Sequence, residues 1–189
     1  PRDAEGHRQL AIIYEGQGKL AEAAEALEES LTYQPNRPDV YLLLGPLYER
    51  QERYDDALRT YQRLEALEPN LPSEIFAVMA SIYLLKKMGP EALEYAQKAL
   101  KVDANSWRVH DLFGNIYAAE NKVQAAFDSY RQAIQLAPNE PTPYSDLAKL
   151  YFAQKRYDEA LKAIDEAVRL APDDPYFQEQ RRQIREAVK

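Results

Sequence analysis

Residues 41–58 read YLLLGPLYERQERYDDAL. Leu42, Leu43 and Leu44, followed by Leu47 and Tyr48, have the three- and four-residue spacing of one stripe of an amphipathic helix. Pro46 interrupts that stripe. A proline inside a helix removes a backbone hydrogen bond and clashes with the carbonyl four residues earlier, at a cost of ~3 kcal/mol. Without that N–H the Leu42 carbonyl is left as a spare acceptor. After the polar break QERYD a second stripe begins at Ala57. The stretch therefore predicts two helices joined by a short turn.

The same pair recurs along the chain. Tyr14, Tyr48, Tyr83, Tyr117 and Tyr151 are separated by 34, 35, 34 and 34 residues. Ala23, Ala57, Ala92, Ala126 and Ala160 repeat those steps, as do Leu10, Leu44, Met79, Phe113 and Leu147. Small residues follow the last set in register: Ala11, Gly45, Ala80, Gly114 and Ala148. Pro35, Pro69, Pro138 and Pro172 close four of the units, and Ala104 stands in the fifth place. Periodicity of this length means a stacked array of helix pairs, none of which can bury its apolar face alone.

The columns resemble the tetratricopeptide repeat, a W-x2-L-G-x2-Y, A-x3-F, P pattern over about 34 residues. Residues 38–71 carry it as Tyr41, Leu44, Gly45, Tyr48, Ala57, Tyr61 and Pro69, and residues 107–140 as His110, Phe113, Gly114, Tyr117, Ala126, Tyr130 and Pro138. Units 4–37 and 141–174 follow with milder substitutions. Unit 73–106 departs most, with Gly89-Pro90 where the others have an aliphatic residue or tyrosine. The resemblance implies an all-α, right-handed superhelical solenoid of five helix-turn-helix units over residues 1–174. Residues 175–189 would add a C-terminal capping helix. Continued register places Gln178, Arg181, Arg182 and Arg185 in core columns there, while Phe177, Ile184 and Val188 form one apolar stripe.

Charge and composition exclude several classes of function. The formal net charge of −7, with no basic stripe, opposes a phosphate backbone, so nucleic acid is not an expected partner. The absence of cysteine removes disulfides and thiolate ligands and fits a soluble protein of cytoplasm or periplasm alike. The longest apolar run, residues 75–85, falls short of the roughly 20 residues that span a bilayer. Nothing resembles a signal peptide, and a start at Pro1 instead of Met reads as a processed product or an excerpt. His7 and His110, the two histidines, occupy one repeat column and are expected to be packing residues. Eleven of the 14 tyrosines fill repeat columns, which packing explains. No phosphate loop, nucleophile elbow, metal set or paired-carboxylate cleft stands out. The sequence therefore predicts no enzyme activity, no cofactor and no metal.

What remains is a surface. The resemblance implies that the first helix of each pair lines a concave groove that takes peptides or helices. Its groove columns are the second, fifth, sixth, ninth, twelfth and thirteenth of each unit. They hold Leu42 and Pro46, then Ala77, Ser81 and Leu84, then Asn115, then Lys149 and Phe152, which form the candidate binding set. Ile12, Leu85, Asp111, Leu112, Ser145 and Asp146 fall in the same columns. Family members that clamp a C-terminal carboxylate need lysine, asparagine and arginine there. Here only Asn115 lies in a clamp column with the right type, and Asp146 stands where a second asparagine is wanted. The expected function is a protein-interaction scaffold or adaptor binding an apolar peptide or helix. The alternatives are a self-assembling homo-oligomer and a regulatory or positioning domain of a larger protein.

Overall fold

The turn between two helices recurs in one conformation. Gly18, Glu52, Lys87, Asn121 and Lys155 occupy the same repeat column and all have positive φ, between 56° and 74°. In each turn the next residue's N–H reaches back to the tyrosine carbonyl five positions earlier, at 2.8–2.9 Å, as in Lys19 to Tyr14 and Lys122 to Tyr117. This is the left-handed closure that satisfies the orphan carbonyls at a helix C-terminus. Only the first turn uses glycine, the residue to which that conformation comes without steric cost.

A computed structural model describes residues 3–187, in which eleven α-helices and no strand occur. They are α1 (Ala4–Gly16), α2 (Leu20–Tyr33), α3 (Pro38–Arg50), α4 (Tyr54–Leu67), α5 (Ser73–Leu85) and α6 (Gly89–Val102). The rest are α7 (Trp107–Ala119), α8 (Val123–Leu136), α9 (Pro141–Ala153), α10 (Tyr157–Leu170) and α11 (Pro175–Ala187). None is long and apolar enough to cross a membrane. Asp3 caps α1 by accepting from the Gly6 N–H at 2.6 Å, while Pro38 and Pro141 open α3 and α9, where a missing N–H is harmless. Pro90 lies in the first turn of α6 for the same reason, so Gly89-Pro90 starts that helix without breaking it.

The chain divides into two compact units, up to Ile75 and from Phe76 onward. In the first, α1 packs on α2, α2 on α3 and α3 on α4. Leu27, Val40, Leu47, Tyr61 and Leu64 are buried at its centre. A Cβ added at Gly45 would overlap the Tyr61 ring, so α3 and α4 meet by glycine against tyrosine. Tyr61 donates its hydroxyl to Glu49 and Tyr48 to Glu28, which settles both buried phenols. Helix α3 runs through Pro46 unbroken to Arg50, and Pro46 lies exposed.

In the second unit the same contact is made by Gly114 and Tyr130, between α7 and α8. Elsewhere the glycine column holds alanine and the tyrosine column a smaller side chain: Ala11 with Leu27, Ala80 with Ala96, and Ala148 with Ile164. In Ala11 with Leu27 and Ala148 with Ile164 the methyl gained on one helix offsets the size lost on the other, as close packing requires, whereas Ala80 with Ala96 leaves the pair smaller. One core joins α8, α9, α10 and α11 through Phe127, Leu147, Tyr151, Ile164, Phe177 and Ile184. Helix α11 turns Phe177 and Ile184 inward and its glutamates and arginines outward. Val188, expected to extend that stripe, lies outside the described residues.

Candidate binding faces

In the first unit, α3 presents Leu42, 40% exposed, with Pro46 exposed one turn on. No helical N–H covers the Leu42 oxygen, because Pro46 has none to give. In the second unit, Ala77, Ser81 and Leu84 of α5 are half-buried. The Ser81 hydroxyl donates to the Ala77 carbonyl at 2.9 Å and so needs no further partner. Phe152 at the end of α9 is exposed and meets the edge of Tyr157 with ring centroids 5.5 Å apart.

Asn115 and Lys149 belong to a polar cluster that the repeat pattern does not announce. Asp111 of α7 and Asp146 of α9 are both buried, each 7% exposed. The Asn115 amide nitrogen lies 3.4 Å from Asp111 Oδ2 and 3.3 Å from Asp146 Oδ2, so it bridges the two carboxyls. Its carbonyl accepts from the Tyr130 hydroxyl at 2.9 Å. Lys149 Nζ donates to Asp146 Oδ1 at 2.6 Å and stands over the Tyr176 ring of α11. Next to it, Ser145 donates to Gln180 of α11 at 2.6 Å, and Gln180 donates to the Tyr176 hydroxyl.

Asp111 Oδ1 is buried without a donor. Two carboxylates with one lysine between them cannot both be charged at low cost in such a place. Burial first, and then the charge of Asp146, pushes the Asp111 carboxyl up to about 8. It keeps its proton at neutral pH, which spares the site a second buried negative charge. Burial and the same two carboxyls also push the Tyr130 phenol far above its usual range. Burial opposes the charge of Lys149, yet its bonds to Asp146 and Tyr176 win and raise its pKa. The cluster can pin α7, α8, α9 and α11 together and take up or release one proton.

The repeat columns missed this network, although a signal was present. Asp111 and Asp146 occupy adjacent groove columns of consecutive units, with Asn115 and Lys149 one turn farther along. Leu112, in a groove column too, is buried. Of the histidines, His7 stacks on Tyr33 at 5.5 Å between centroids, and His110 Nε2 lies 3.2 Å from the Ala104 carbonyl. No group of three or more metal-ligating side chains converges among the described residues.

Models of the tetratricopeptide repeat match residues 15–82 and 117–184, and a second such model matches residues 89–141. Among solved structures, the chain is similar to TTC0263, a thermophilic tetratricopeptide protein of Thermus thermophilus. That pair has 23% identity and a TM-score of 0.74 over 96% of this chain and 98% of that one. MamA from Desulfovibrio magneticus RS-1 has 17% identity and a TM-score of 0.80, covering 93% and 98%. YrrB, described as a tetratricopeptide protein with an unusual peptide-binding site, has 18% identity and a TM-score of 0.71, covering 95% and 92%. At these identities the likeness is one of fold: an all-α, solenoid-like repeat.

Proposed function

Because the chain belongs to the tetratricopeptide repeat family, whose members mediate contacts between proteins, we propose that it is a scaffold binding an apolar peptide or helix on its first-helix faces. One observation carries the reading. Among the described residues eight large apolar side chains are exposed, and four of them, Ile12, Leu42, Leu85 and Phe152, fall in groove columns. Those columns make up 30 of the 189 residues, about one sixth of the chain. Exposed apolar surface gathered in so few columns marks an interaction face more than chance scatter.

Leu42 and Pro46 offer the ligand an apolar ridge and the spare Leu42 carbonyl in the first unit. Leu84 and Phe152 offer apolar contacts in the second, with Ala77 and Ser81 small enough to admit a side chain. Asn115 and Lys149 supply polar anchors through the parts of their side chains left at the surface. The work done is binding, not turnover.

The test is affinity capture with the intact chain beside its Leu42→Asp, Leu84→Asp and doubly substituted forms. Each leucine is worth about 1.5–3 kcal/mol when covered. The double variant is expected to keep its helical content and to lose its partner by about two orders of magnitude or more. Unchanged capture by a folded double variant would refute the reading. Capture that yields only this chain, with a doubled mass in solution, would convert it to self-assembly.

A further inference from the structure

We propose that the outer face of α1 and α2 receives a partner helix whose apolar ridge is flanked by lysine or arginine. Helix α3 shows what such a face looks like when it is covered. There α2 lies on Leu44, Leu47 and Tyr48, all buried. The Tyr48 hydroxyl donates to Glu28 of α2, and the Gln51 amide donates to the Leu20 carbonyl at 3.1 Å. Helix α1 carries the same columns one repeat earlier, as Leu10, Ile13, Tyr14 and Gln17. Ile13 is 55% exposed, whereas Leu47, Ile116 and Leu150 in its column are all buried. Among the described residues, the Tyr14 hydroxyl and the Gln17 amide make none of the helix-to-helix bonds that Tyr48 and Gln51 make. The face is shaped for a helix, and the α2-on-α3 contact gives the pattern of its seating.

Charge selects the kind of helix. The concavity between α1 and α2 is lined by Leu10 and Tyr14 at the floor and by Glu22, Glu25 and Glu29 at the rim, and the one cation beside it is Lys19, whose Nζ stands 5.7 Å over the Tyr14 ring, against three glutamates. Of the second helices α2, α4, α6, α8 and α10, only α2 contains neither lysine nor arginine. In α4 the residue matching Glu22 is Asp56, and Arg53 and Arg59 pair with it. Glu22, Glu25 and Glu29 have no ion pair among the described residues. A helix edged with glutamate would meet like charge on that rim, whereas one edged with lysine would neutralise it and seat its apolar ridge on Leu10, Ile13 and Tyr14.

The experiment uses a labelled leucine–lysine amphipathic peptide of roughly 18 residues, long enough to form a helix, and its leucine–glutamate counterpart. Fluorescence anisotropy is read in about 0.15 M salt, where long-range attraction to the net charge is screened. The lysine peptide is expected to bind saturably and the glutamate peptide at least tenfold more weakly. Ile13→Asp, and Glu25→Lys with Glu29→Lys, should each weaken the lysine peptide about tenfold or more. Asp128→Lys with Asp158→Lys changes the net charge equally on other helices and should weaken it less than about threefold. Leu42→Asp should leave this probe unaffected, which separates the face from the one proposed above. Equal loss from the distant charge pair, no loss from Ile13→Asp, or equal binding of both peptides would each overturn the proposal.

Discussion

The faces of α3 and of α7 with α9 use the same repeat columns for opposite ends. On α3 the columns hold Leu42 and Pro46, exposed, apolar and free of side-chain hydrogen bonds. On α7 and α9 they hold Asp111 and Asp146, both buried, tied together by half-buried Asn115 and exposed Lys149. Position in a repeat settles where a side chain starts. Whether it ends in solvent or in a closed network depends on its neighbours, which the repeat does not prescribe. The α3 face therefore stays exposed and apolar, and the α7–α9 face has spent most of its polar groups internally.

Pro46→Ala should give the largest change in stability. It returns a backbone N–H to the Leu42 carbonyl on an exposed face, and the unfolding free energy should rise by up to ~3 kcal/mol. If the spare carbonyl serves the ligand, the same variant should bind its partner more weakly while melting higher. Unchanged binding would reduce Pro46 to a tolerated gap in the helical hydrogen bonds and would blunt the contrast between the faces.

Gly45→Ala comes next. The new methyl overlaps the Tyr61 ring, and overpacking of this kind costs roughly 2–3 kcal/mol. Pairing it with Tyr61→Leu recreates the Ala11–Leu27 combination of the first helix pair. A double-mutant cycle by denaturant unfolding should then show a favourable coupling of about 1–3 kcal/mol. Additive losses would mean that glycine and tyrosine do not compensate each other.

The proton on Asp111 sharpens the other side of the comparison. An unfolded aspartate titrates near 3.9, and this one is pushed up to about 8 in the folded chain. The folded state therefore binds more protons between those values, and stability falls as pH rises from about 4 to about 8. The slope attributable to one proton is at most ~1.4 kcal/mol per pH unit. Carboxylates held low by arginine, such as Asp39 and Asp56, contribute their stability above their unfolded values and lose it only in acid. The interval from pH 5.5 to 7.5, about the middle of the window, isolates Asp111 from them. Asp111→Asn should flatten the slope there in thermal unfolding, and a slope left intact would mean that Asp111 does not hold a proton in the folded chain at these pH values. The smallest effect is expected at the turns. Glu52→Gly relieves a left-handed backbone and should stabilise by about 1 kcal/mol, while Gly18→Ala should cost a similar amount.

These variants also show what the sequence discloses. Tyr48, Ala57 and Leu44 recur at fixed steps, so the helix pairs follow from counting, and the outward direction of Pro46 follows from the groove columns that the family resemblance implies. The left-handed turns do not, because glutamate, lysine and asparagine occupy four of the five positions and carry no glycine signal. The match of Gly45 with Tyr61 crosses between helices, and it becomes visible only when their separation is known. Asp111 and Asp146 read as ordinary polar groove residues, since periodicity reports a column and not the burial that neighbouring helices impose. The exposed Ile13 is hidden in the same way: its column is apolar in every unit, and only the structure shows that nothing covers it in the first.

The first-helix faces, and not the second helices, are proposed to carry the partner. Amide hydrogen exchange on the chain with its captured partner bound, compared with the free chain, tests this most directly. The predicted result is added protection on α3 around Leu42 and Leu43 and on the apolar turns of α5 and α9, with α4, α6 and α10 unchanged. Protection confined to α4, α6 and α10, with α3 exchanging as it does in the free chain, would contradict it.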